Sequence, residues 1–85
     1  MVSFPSKKEL MDSIVEVLTT NNSTMTTSDI NDCVAKKLHL TEEQLNEESS
    51  SCSGSEYSYR MRWARTELRQ KNIISNPQRG KWQLV

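Results

Sequence analysis

The sequence predicts an α+β fold, mainly helical: a three-helix core, a short connector helix and a C-terminal β-hairpin. Three observations point to it. Apolar residues recur at helical spacing in three separate stretches, the period changes to strand-like runs after residue 72, and a turn-forming segment, Asn76-Pro77-Gln78-Arg79-Gly80, divides those runs. The 85 residues suffice for one domain, predicted to span 1–85, with one hydrophobic core.

Ser6 followed by Glu9 has the pattern of a capping box, and Leu10, Met11, Ile14, Val15, Val17 and Leu18 then cover one face of a helix over about 6–20. The polar run TTNNST ends it, because short polar side chains compete for backbone hydrogen bonds. Thr24-Met25-Thr26 suits a very short strand. Thr27 or Ser28 is the expected cap of a second helix over 28–38, with Asp29 in its first turn and Ile30, Cys33, Val34 and Leu38 as its buried stripe. Thr41 and Gln44 form another capping box, for a connector helix over 41–47 tied inward by Leu40 and Leu45. Residues 48–55, ESSSCSGS, read as a flexible loop. The third long helix is expected over 56–71, with Tyr57, Met61, Ala64 and Leu68 inward and Ser58, Arg62, Arg65, Thr66 and Arg69 on another face. The hairpin occupies 73–85: Ile73-Ile74-Ser75 pairs with Lys81–Leu84 around a Pro77–Gly80 turn, and Trp82 and Leu84 cover the open end of the core.

Composition narrows the function classes. No apolar run approaches the roughly 20 residues that span a bilayer, and MVSFPSKKEL lacks a signal peptide's apolar stretch. Cys33 and Cys52 lack ligand-like spacing, and no disulfide is expected between them. A cytoplasmic, membrane-free protein is the expectation. The formal net charge is zero, yet residues 1–55 carry four Lys and nine acids while residues 56–85 carry five Arg, two Lys and two acids. That asymmetry suits a local anion-binding surface on a neutral body; its plainer reading is a solvated helix face.

Three helices running into a two-stranded hairpin make a winged helix-turn-helix, which leaves the arginine face of the third helix free to enter a major groove. More specifically, YRMRWARTELRQKNIISNPQRGKWQL resembles the N-terminal domain of Mrr-like restriction endonucleases, through Arg60, Trp63, Ala64, Leu68, Ile73, Ile74, Pro77, Gly80, Trp82 and Leu84. HLTEEQL at 39–45 is similar to that family's connector, so the resemblance covers most of residues 28–85. Asn72 departs from it where the family often has Ala-Gly, and so does the long Ser-rich loop. The resemblance implies a module that reads double-stranded DNA, is not itself catalytic, and in full-length enzymes precedes a separate metal-dependent nuclease domain. The nuclease motif has no match in this sequence, and ending at Val85 suits an excised domain or a small stand-alone protein.

Within that frame Arg62, Arg65 and Arg69 are the expected groove contacts, because their spacing aligns three guanidinium groups and Arg reads guanine bidentately. Ser58 and Thr66 flank them as candidates for phosphate or base-edge contact, and Arg79 and Lys81 are the wing cations. Arg60 reads as structural, facing Glu67 and Trp63, and Trp63 as packed beneath the wing. His39 has no second histidine or nucleophile with which to form a metal or catalytic site, so no catalytic residue, cofactor or metal is expected. Cys33 reads as a core residue and Cys52 as an exposed thiol. The acidic group Glu42, Glu43, Glu47 and Glu48 reads as a solubilising face. Two alternatives remain: a winged-helix module that docks a protein through Trp63 or Trp82, and a small homodimeric transcription regulator.

Overall fold

The computed structural model describes residues 3–50 and 53–85, and each helix within them starts at a hydroxyl side chain. Ser6 caps α1 (Lys7–Asn21), Thr26 caps α2 (Thr27–Lys37), Thr41 caps α3 (Glu42–Asn46) and Ser55 caps α4 (Glu56–Gln70), each accepting from the third backbone N–H onward. The reciprocal capping box forms at α3, where the Thr41 N–H donates to Gln44 Oε1 at 2.7 Å. At α1 only half of the expected box is made, since Ser6 Oγ accepts from the Glu9 N–H at 3.2 Å and the two side chains bond each other instead. The cap of α2 is Thr26, one residue before the expected position, while the Thr27 hydroxyl accepts from the Trp82 indole N–H.

The C-terminal ends share a device. Both α2 and α4 close with a left-handed residue, His39 at φ 54° and Asn72 at φ 61°. In each case the next N–H reaches back to the helix, Leu40 to the Ala35 carbonyl and Ile73 to the Leu68 carbonyl, both at 3.0 Å. This is the Schellman arrangement, and Asn72 fills the position for which glycine is the common choice.

Three strands form one antiparallel sheet in the order β1-β3-β2, with β1 at Met25–Thr26, β2 at Ile74–Gln78 and β3 at Lys81–Leu84. The short strand before α2 therefore pairs with the wing, Met25 opposite Trp82, and the wing is continuous with the body. The hairpin turn is tighter than expected. Gln78 pairs with Lys81, so Pro77 lies inside β2 and the reversal falls on Arg79-Gly80, with Gly80 at φ 76°. Proline has no N–H for the ladder, and the register shifts between Ser75 and Gln78. The Asn76 amide fills the break by donating to the carbonyls of Gln78 and Lys81.

The core is the expected one. Leu10, Ile14 and Leu18 of α1, Ile30 and Val34 of α2, Met61, Ala64 and Leu68 of α4, and Ile74 of β2 are all buried. Trp82, Leu84, Leu40, Leu45 and Cys33 pack against this cluster. Cys52 lies outside the described residues, as does the centre of the Ser-rich segment. The flanks of that segment are drawn together, with Glu48 bridging Ser55 and the Glu56 N–H donating to the Glu47 carbonyl at 2.8 Å. The element order and sheet order make a winged-helix-like α+β fold. No described helix is long and apolar enough to cross a membrane.

Candidate nucleic-acid interface

Helix α4 sets the site. Its buried face (Tyr57, Met61, Ala64, Leu68) points into the core, which turns Ser58, Arg62 and Arg69 outward, all exposed. Arg79 and Lys81, at and after the wing turn, are exposed as well. Lys7, Lys8, Lys37, Arg60 and Lys71 lie within ion-pair distance of carboxylates, whereas Arg62, Arg69, Arg79 and Lys81 have no such partner among the described residues. Four uncommitted cations thus sit on α4 and the wing.

Two neighbouring hydroxyls are partly engaged. Thr66 is half-buried and donates to the Arg62 carbonyl at 2.9 Å. Ser58 Oγ accepts from Ser55 Oγ at 2.9 Å and stays exposed, beside a surface recess of about 560 Å³ between α2 and α4. Thr27, Ser28, Asn31 and Asp32 line the α2 side of that recess.

Arg65 is not on the open face. It is 6% exposed, with Nη1 donating to Asn31 Oδ1 at 2.8 Å and the guanidinium 5.6 Å from the Trp82 ring centre. Its Nε is buried with no hydrogen-bond partner among the described residues. Burial lowers its pKa from the ordinary range, an effect opposed by Tyr57 and deepened by the like charge of Arg62. Burying a guanidinium costs several kcal/mol, which the hydrogen bond and the ring contact (about 2 kcal/mol when desolvated) only partly offset.

Three expectations for this side of α4 change. Trp63 is 52% exposed rather than beneath the wing; it meets the edge of Tyr59 at 6.4 Å and, with Leu10, lines a shallow groove of about 230 Å³. Arg60 is structural, but its partners are Glu56 at 2.6 Å and the Phe4 ring at 4.9 Å. Glu67 is taken instead by Lys7 at 2.8 Å, with Lys71 nearby. The residue beneath the wing is Arg65. Asn31, which sequence reasoning passed over, holds that region together: its side chain accepts from Arg65 and its carbonyl from the Tyr57 hydroxyl at 2.6 Å. Among the described residues no group of His, Cys, Asp and Glu is placed to hold a metal ion.

The family model described as the Mrr N-terminal domain matches residues 8–85, nearly the whole chain. The chain belongs to that family. Comparison with curated proteins and with solved structures gave no match. The match takes in α1, where the motif resemblance is weak, and it associates this Mrr N-terminal domain with Mrr-like restriction systems.

Proposed function

We propose that this Mrr N-terminal domain binds double-stranded DNA as the non-catalytic recognition module of an Mrr-like restriction system, with α4 in the major groove and the wing on the adjacent backbone. The observation that carries the reading is that, of the five exposed cations without carboxylate partners among the described residues, all but Lys36 gather on two elements, Arg62 and Arg69 on α4 and Arg79 and Lys81 on the wing. Arg62 and Arg69 lie seven residues apart, two helical turns, so both reach one groove without any rearrangement. Ser58 and Thr66 flank them and supply hydroxyls to phosphate or a base edge. Arg65 contributes from below, as support for this surface. A nuclease domain elsewhere in the full-length protein would supply the cutting chemistry.

Anisotropy of labelled duplex DNA, measured against salt, tests the reading. With four cations engaged, log affinity falls against log salt with a slope of about −3 to −4. Arg79→Ala makes that slope shallower by about one, and a base-reading Arg62 replaced by Ala costs about 1–3 kcal/mol on the preferred site alone. Binding that ignores salt would contradict it.

A second reading, a protein-docking module, is favoured by one observation: the exposed Trp63, set edge-on against half-buried Tyr59 beside the groove at Leu10. Under the DNA reading, Trp63→Ala leaves duplex affinity within about twofold; under the docking reading it removes the anchor.

A further inference from the structure

We infer that Arg65 is a positioning residue, a clamp that fixes the wing against the α2–α4 pair so that the wing cations and the α4 cations face the same duplex. The inference rests on the DNA-binding reading and adds to it a residue that acts without touching DNA.

The clamp is a closed chain of contacts through three elements. From α4, Arg65 Nη1 donates to Asn31 Oδ1 of α2 at 2.8 Å, and its guanidinium lies over the Trp82 ring of β3, 5.6 Å from its centre, in cation–π range. From β3, the Trp82 indole N–H donates to Thr27 Oγ1 of α2 at 2.9 Å. From α2, the Thr27 N–H donates to the Gly80 carbonyl at the wing turn, at 3.0 Å. Tyr57 of α4 ties the same Asn31 a second time, through its carbonyl at 2.6 Å. Lys81 is the chain neighbour of both Gly80 and Trp82, and Arg79 of Gly80, so each wing cation is one residue from an atom held in this chain.

Stability does not explain an arginine at this position. A buried ion replaced by an apolar side chain of similar volume is often neutral or stabilising, and here Nε remains without a hydrogen-bond partner among the described residues. What the arginine does that an apolar residue cannot is bond Asn31 and place a cation over Trp82 at once, through a rigid planar group. Pairing of β3 with β1 already ties the wing to the body, and what Arg65 adds is a tie to α4, the helix that carries the other cations.

A double-mutant cycle on the 85-residue chain tests the clamp. Arg65→Met is compared with the wing-neutralised variant Arg79→Ala/Lys81→Ala and with the triple combination, by duplex DNA affinity and salt slope. The clamp predicts that Arg65→Met reproduces the loss of the wing variant, with a slope shallower by about 1.8 (two phosphate contacts at about 0.9 each), and that the triple variant loses nothing further. Full additivity would mean that Arg65 touches DNA itself, and unchanged binding by Arg65→Met would mean that the wing needs no clamp; either overturns the proposal. Should Arg65→Met fail to fold, Asn31→Ala removes the acceptor while leaving the charge, with the same expected pattern. Hydrogen exchange in free protein separates this proposal from the DNA reading. The Trp82 indole N–H and the Thr27 N–H exchange faster in either variant while the Met61 and Leu68 amides stay protected. Unchanged protection at Trp82 and Thr27 overturns the clamp, and absence of DNA binding by the unmutated chain overturns only the DNA reading.

Discussion

Leu68 shows how tightly single residues are fitted here. At 2% exposure it packs among Met61, Ile14 and Ile74, so Leu68→Ala costs about 2–5 kcal/mol, a large share of what so small a domain possesses, and urea denaturation measures it. Tyr57 makes a pH-dependent contribution. Burial pushes its phenol well above the ordinary value of 10.0, and nearby Arg65 opposes this only in part. A pKa raised in the folded state means that the protonated phenol is preferred there, so the contribution is fully present below about pH 10 and is lost as pH rises further. Urea midpoints between about pH 8 and 11 should fall more steeply for the native chain than for Tyr57→Phe. The inward residues of α4 are legible from spacing alone, because apolar side chains four and seven apart share a face. Arg65 is not. Helical geometry sets it about 80° from Tyr57, at the edge of the buried face, and an angle says nothing of depth. Its burial is decided by Asn31, 34 residues earlier in the chain, and by Trp82 on the wing, contacts that no local period carries. Trp63 fails for the same reason in the other direction, since Phe4 and Lys7 of the N-terminal segment and α1 engage its neighbours Arg60 and Glu67 and leave the indole half open.

The elements end where their termini can be satisfied. Asn72 holds the left-handed residue that closes α4, with its N–H bonded to the Arg69 carbonyl at 3.0 Å. Asn72→Gly should raise stability by about 0.5–1 kcal/mol and Asn72→Ala lower it by about 1 kcal/mol, both read from thermal or urea midpoints. An Asn72→Gly variant no more stable than the native chain would show that the asparagine side chain makes a compensating contact. Thr26→Ala should cost about 0.5–2 kcal/mol through loss of the α2 cap. The helix bounds fall within a residue or so of what capping and periodicity predict, since both are local. The sheet is harder to read. Two residues, Met25–Thr26, carry no period, and their strand exists because β3 offers them an open edge. The turn is misplaced from sequence because Pro77 is a turn signal by propensity, whereas Asn76 supplies the bonds that let it stay within β2.

Across the whole molecule charge is segregated. The acids of the first 55 residues lie on α1, α2, α3 and their connections, while the five arginines belong to α4 and the wing. Three of these arginines, Arg62, Arg69 and Arg79, together with Lys81 are exposed without ion-pair partners among the described residues, and the fold brings the two elements carrying them into one body through Arg65 and Trp82. The proposed binding of duplex DNA across this surface is tested by titrating duplex DNA into isotope-labelled protein and following backbone and arginine side-chain NMR signals. Salt-sensitive shifts are expected at Ser58, Arg62, Thr66 and Arg69, at the start of α2, and at Arg79 to Lys81, with α1 and α3 silent. Shifts confined to α1, to the acidic connector or to the Trp63 groove, and indifferent to salt, would contradict it.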